Sequence, residues 1–246
     1  MTKHRHWHIA AFTLILMTTL LPLRGEAVAA RQHATPMAAS CDTSATPLAT
    51  PMSPMATPMA GMDHSATATP AASAEFDQSY IDMMIPHHAS IIALAQAALP
   101  RLTDERLRSI AETIIQTQTA EIDELRDYRM EFYGSADPMP VDDAAMMQMM
   151  GGMSMSMDEM MLMMDADALV ATFCASANPD LAFIDLTIPH HQSAIAASNT
   201  ALQQATHEEI RNLARRVIED QQREIDELNT IRQDLAAAGT LPEALG

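Results

Sequence analysis

Residues 77–132 align without a gap to residues 180–235 at an offset of 103, with 24 identities in 56 pairs. The stretch IDMMIPHH at 81–88 returns as IDLTIPHH at 184–191, and EIDEL at 121–125 returns at 224–228. A duplication of this length limits the possible folds: whatever one copy forms, the other forms too, and the two are built to pair.

Each copy carries helical periodicity. In the second half of copy one Ile110, Ile114, Gln118, Glu121, Leu125 and Tyr128 recur at three- and four-residue steps, and copy two repeats the stripe as Leu213, Val217, Gln221, Glu224, Leu228 and Ile231. The first halves, about 76–99 and 180–202, are apolar at the same spacing, and Thr103 and Thr206 are suited to cap the helices that follow. Two helical hairpins that cannot bury their faces alone predict an all-α four-helix bundle.

The remaining chain reads as appendages. Lys3 and Arg5 precede an apolar run at 9–23, and Ala27, Val28 and Ala29 form a small-residue cleavage pattern, so residues 1–29 are expected to be a signal peptide. The run is shorter than the ~20 residues of a membrane span. Residues 30–74 repeat Thr-Pro among small residues and methionines, as in a disordered linker. The bundle is expected over 75–240: repeat one at 76–133, a connection at 134–178 and repeat two at 179–237. Export permits a bridge between Cys41 and Cys174, the only two cysteines, but free thiols are equally compatible with the sequence. A formal net charge of −18 argues against nucleic acid as a partner. No integral membrane span is expected after cleavage.

Candidate chemistry centres on the histidine pairs. His88 shares a helix face with Ile81, Ile85 and Ile92, His191 shares one with Ile184, Ile188 and Ile195, and His87 and His190 lie about 100° round the helix. Asp77 and Asp180 fall near the azimuths of His88 and His191, and Glu121 and Glu224 interrupt the apolar stripe of the partner helices. A buried carboxylate needs a cation, a proton or hydrogen-bond donors. Matched His and Glu on facing helices build either a metal site or a structural polar layer. Pro86 and Pro189 either lie within a helix or start a new one. The Glu-x-x-His signature of di-iron bundles is absent, since Met84, Ile85, Thr187 and Ile188 stand three residues before the histidines. No nucleophile–base arrangement is legible, so the chain is expected not to be an enzyme.

The connection supplies the second clue. Eleven of the 22 methionines lie between Met146 and Met164. Thioethers are soft ligands that favour Cu(I), and by the same logic Ag(I), while imidazole serves both copper oxidation states. Met146, Met149, Met150 and Met153 fall at helical spacing, with Met157 and Met160 following. They are candidate soft ligands, or an adaptable apolar cover.

The doubled motif, DQSYIDMMIPHH with QTAEIDEL and DLAFIDLTIPHH with QQREIDEL, resembles the family known as domain of unknown function 305. That resemblance covers about 75–235. It implies a ferritin-like four-helix bundle, usually exported, whose best understood relatives resemble a periplasmic copper-binding protein. It implies as ligands His87, His88, His190, His191, Met83 and Met84. Copy two has Leu186 and Thr187 at the positions of Met83 and Met84, so the two sites need not be equivalent. The combined expectation is an extracytoplasmic protein that binds copper, Cu(I) favoured, for buffering, resistance or transfer to a protein partner. The alternative is a structural or interaction bundle with a buried His–Glu layer.

Overall fold

The computed structural model describes residues 41, 70–150, 153 and 156–239, which form seven helices and no strand. The expected signal peptide and most of the expected linker lie outside the described residues.

Four long helices make the bundle: α1 (Pro70–Ala98), α2 (Glu105–Tyr133), α6 (Pro179–Gln204) and α7 (Glu208–Ala237). The duplicated hairpins are α1–α2 and α6–α7. They pack with α1 against α6 and α2 against α7, so the four helices form a closed ring. Between them run three short helices, α3 (Asp143–Met149), α4 (Met157–Met164) and α5 (Ala166–Cys174), all laid against α1.

The local reasons are legible. The stripe of α2 is buried as Ile110, Ile114, Gln118, Glu121 and Leu125, and that of α7 as Leu213, Val217, Gln221, Glu224, Leu228 and Ile231. Gly134 ends α2 at φ 76°, a conformation that costs a residue without Cβ little, and its N–H closes on Met130 O. Pro86 and Pro189 lie inside continuous helices rather than at new helix starts. α1 begins at Pro70, inside the segment expected to be linker.

The capping differs from expectation. The N-caps are Asp104 and His207, each one residue past the expected threonine. Both threonines instead bind a carboxylate from the opposite hairpin. Asp77 of α1 accepts from Thr206 N at 3.0 Å, Thr206 Oγ1 at 2.6 Å, His207 N at 2.9 Å and His207 Nδ1 at 2.6 Å. Asp180 of α6 accepts from Thr103 N at 2.7 Å, Asp104 N at 3.3 Å and Thr103 Oγ1. Each carboxylate thus sits at a helix N-terminus, where free amides and the helix dipole favour negative charge.

Cys41 and Cys174 are bridged, with Cα atoms 5.4 Å apart across 133 residues of sequence. The bond ties residue 41 to the end of α5. Beside it Arg101 lies over the Phe173 ring and donates to Cys174 O and Ser176 O. Closing so long a loop removes on the order of 4–5 kcal/mol of unfolded-chain entropy. Among the described residues no helix is long and apolar enough to cross a membrane.

Candidate metal centre

The two IPHH segments meet where α1 packs on α6. His87, His88, His190 and His191 are all fully buried, and the His87 and His190 rings lie 3.8 Å apart between centroids, tilted by 39°. Two serines hold these rings from opposite hairpins. Ser193 Oγ donates to His190 O at 2.6 Å, so at 2.7 Å from His87 Nε2 it accepts that ring's N–H. Ser90 Oγ donates to His87 O and Met163 O, and it accepts from His190 Nε2 at 3.0 Å. His190 Nε2 also stands 3.1 Å from the carbonyl of His87, which only accepts. Both rings therefore carry their proton on Nε2 and keep a lone pair on Nδ1.

The outer rings face carboxylates. His191 Nε2 donates to Glu224 Oε2 at 2.6 Å. His88 Nε2 is 2.9 Å from Glu121 Oε2, but the contact is not aligned as a hydrogen bond. An imidazole that holds a metal usually donates its other N–H to a carboxylate, carbonyl or hydroxyl, which fixes tautomer and ring direction. Glu224, expected as a ligand, accepts from a distal nitrogen in this way, and Glu121, also expected as one, lies beside the other distal nitrogen without an aligned bond.

None of the four Nδ1 atoms has a hydrogen-bond partner, nor do the side-chain amides of Gln118 and Gln221, each 2% exposed on the helices facing the histidines. An unpaired buried polar group costs about 1–3 kcal/mol. Burial, reinforced by the neighbouring imidazoles, holds the pKa values of His87 and His190 well below the ordinary histidine range. Both are neutral at physiological pH, the form that binds metal.

These donors suit a soft cation of low coordination number better than a closed cage. Among the described residues no three His, Cys, Asp or Glu side chains are gathered as a metal site. Asp77 and Asp180 are not with the histidines; they are engaged by backbone amides at the bundle's ends. Met83 and Met84 are fully buried in α1, within the same apolar cluster as Met146, Met149, Met150 and Met160. Met153 packs partly buried against that cluster. The helical stripe of methionines is therefore an inward, apolar face, while Met139, Met147 and Met161 are exposed. The side chain of Met157 lies outside the described residues. Sequence reasoning missed Ser90 and Ser193. Each lies three residues after the first histidine of its pair, and so shares that histidine's face.

Duplicated hairpins closing on paired, buried imidazoles define a helical-bundle protein with a histidine core. The chain belongs to the DUF305 family, a domain of unknown function, whose sequence pattern matches residues 16–129 and 77–232. Its structure is similar to CopM in the Cu(II)-bound form, at 32% identity and TM-score 0.52 over 64% of this chain and 96% of that one. It is similar to CopM in an Ag-bound form obtained by soaking, at 26% identity and TM-score 0.50 over the same shares. A DUF305 protein from Streptomyces coelicolor shares the fold, at 22% identity and TM-score 0.53 over 68% of this chain and 96% of that one. No curated protein sequence matches the chain.

Proposed function

We propose that this protein is an exported, non-catalytic copper-binding protein that takes Cu(I), with Ag(I) as a mimic, for buffering, resistance or transfer. The observation that carries this reading is the set of buried imidazoles whose Nδ1 atoms have no hydrogen-bond partner while their distal nitrogens contact serine or glutamate. Those atoms are the donors we assign, with Met83 and Met84 as neighbouring thioethers. The likeness to CopM in copper- and silver-bound forms supports it. The signal-like N-terminus supports export. The cargo is held and released, with no bond made or broken in a substrate.

The test is an anaerobic titration in competition with a chromophoric Cu(I) chelator. The protein is expected to withdraw copper at a defined stoichiometry. Replacing His87 and His190 by Ala is expected to weaken binding at least about tenfold, which corresponds to ~1.4 kcal/mol. A chelator that keeps all its copper would sink the proposal.

One observation favours a second reading, a structural polar layer. The His191–Glu224 hydrogen bond pairs that ring's Nε2 with a buried carboxylate without any ion. In that case stability would track pH and ignore copper, whereas binding to the native state raises its melting temperature.

A further inference from the structure

Four large apolar side chains stand exposed among the described residues, and all four are methionines: Met130, Met139, Met147 and Met161. A thioether in water offers lone pairs that a leucine there would not. Met161, 54% exposed, has a second thioether beside it. A shallow pocket of about 620 Å³ at the junction of α4 and α5 is lined by Met161 and Met164, with Asp158, Asp165 and Asp167. The two methionines are three residues apart and so share a helix face. No basic side chain lines this pocket, whereas Arg106 and Arg223 line the groove between α2 and α7. Met139 shares a pocket with Met149, but there Asp82 is neutralised by Arg129. The three carboxylates at α4 and α5 are not gathered as a cage for a hard cation. They set the field, and the thioethers are the donors.

The other face of α4 points into the bundle. Met160 and Met163 are 2% and 5% exposed, and α4 lies against α1. Ser90 Oγ donates to Met163 O and accepts from His190, so the backbone of α4 is seated directly on the histidine core. Met164, at the pocket, also packs against the apolar cluster that contains Met160, Met83 and Met84. Thioethers therefore run from solvent to the turn of α1 that precedes His87 and His88. At the positions of Met83 and Met84, α6 has Leu186 and Thr187. The soft side chains of the core are thus on α1, the helix that α4 covers.

We propose that α4 is the entry for a soft monovalent cation, with Met161 and Met164 capturing it at the surface and Met160, Met83 and Met84 relaying it to the buried imidazoles. Asp158, Asp165 and Asp167 attract it to the pocket. This rests on the copper-binding reading above and adds where the ion is loaded and which side chains carry it inward. The ion keeps its charge throughout, and each step exchanges one thioether for the next.

The test separates rate from affinity. Anaerobic Cu(I) uptake from a weak chromophoric chelator is followed by stopped flow, at protein concentrations where the rate rises with protein. Equilibrium affinity is taken from the same chelator. Met161→Leu combined with Met164→Leu conserves volume and apolarity while removing both surface donors. The double variant is expected to slow uptake about tenfold or more. A relay group acts on transfer in both directions, so release slows too and affinity stays within about twofold of wild type. Asp158→Asn is expected to slow uptake less and to weaken its dependence on ionic strength. Met139→Leu, in the pocket with the neutralised carboxylate, is the control and keeps the wild-type rate. A wild-type rate in the double variant would overturn the entry while leaving the copper-binding reading intact. So would equal slowing in Met139→Leu, or a loss of affinity as large as the loss of rate, which marks a holding site instead. Wild-type protein that takes no Cu(I) at all would overturn both.

Discussion

Asp82 with Arg129 in the first hairpin and Asp185 with Arg232 in the second are the same pair at the duplication offset, yet they live in different environments. Arg129 and Asp82 side chains are 2% and 5% exposed, while Arg232 and Asp185 are 35% and 54% exposed. The start of the connection makes the difference, because Arg129 also donates to Ser135 O at 2.9 Å. Identical residues have become a buried interior ion pair in one copy and a surface pair in the other. The same divergence reaches the site, where His191 bonds Glu224 in alignment and His88 merely adjoins Glu121. It reaches the caps as well: Asp104 caps α2 with its own side chain, whereas His207 makes no such bond and α7 depends on Asp77. Duplication preserved the framework, and what was packed over it set the energetics.

That comparison breaks most sharply at the ion pairs. Arg129→Ala strands a buried carboxylate and is expected to cost about 3–5 kcal/mol. Arg232→Ala at the exposed counterpart is expected to cost less than ~1 kcal/mol. Urea denaturation of both variants measures the difference, and equal costs would refute the contrast.

The next effect is one the two copies share. His87 and His190 titrate in the folded protein well below the unfolded value, so below that value the unfolded chain binds protons that the folded one refuses. Their stabilising contribution is complete above pH ~6.5 and is lost as pH falls, by about 1.4 kcal/mol per unit for each ring. The groups facing them are His88 and His191, with Ser193 and Ser90 on their Nε2 atoms. Denaturation midpoints between pH 7.5 and 5.5 should fall in the wild type, and the slope should flatten with His87→Gln and His190→Gln combined.

The smallest expected contrast is at the caps. Asp77→Ala and Asp180→Ala should each cost about 1–2 kcal/mol, with Asp77 the more expensive because α7 has no side-chain cap of its own. Thermal melts of the two variants rank them, and the reverse order would contradict this account of capping.

Much of the fold was legible because burial imposes periodicity: the stripes through Ile114 and Val217, and the 103-residue offset, need only helix geometry to be read. The site was half legible. The histidines stand out, but a helical wheel gives azimuth and not height, so it places Asp77 and Asp180 beside the histidines when they lie at the bundle's ends. Ser90 and Ser193 share a face with the first histidine of each pair, and nothing in the sequence alone marks them as its hydrogen-bond partners. The methionine stripe at Met146, Met149 and Met150 is buried, which periodicity allowed but ligand chemistry obscured. The bridge between Cys41 and Cys174 is permitted by the sequence but not distinguished from free thiols, because nothing local couples residues 133 apart.

Ser193 orients His87 and Ser90 orients His190, just as Asp77 serves α7 and Asp180 serves α2. Reciprocal contacts, in which residue i of one half meets j of the other and j meets i, are the signature of an isologous two-fold interface. The chain is in effect a homodimer of hairpins made permanent by a peptide connection. A single hairpin would have helix ends and imidazoles awaiting a partner's groups. Fusion is also what freed the halves to differ, since a true homodimer cannot bury its arginine on one side alone.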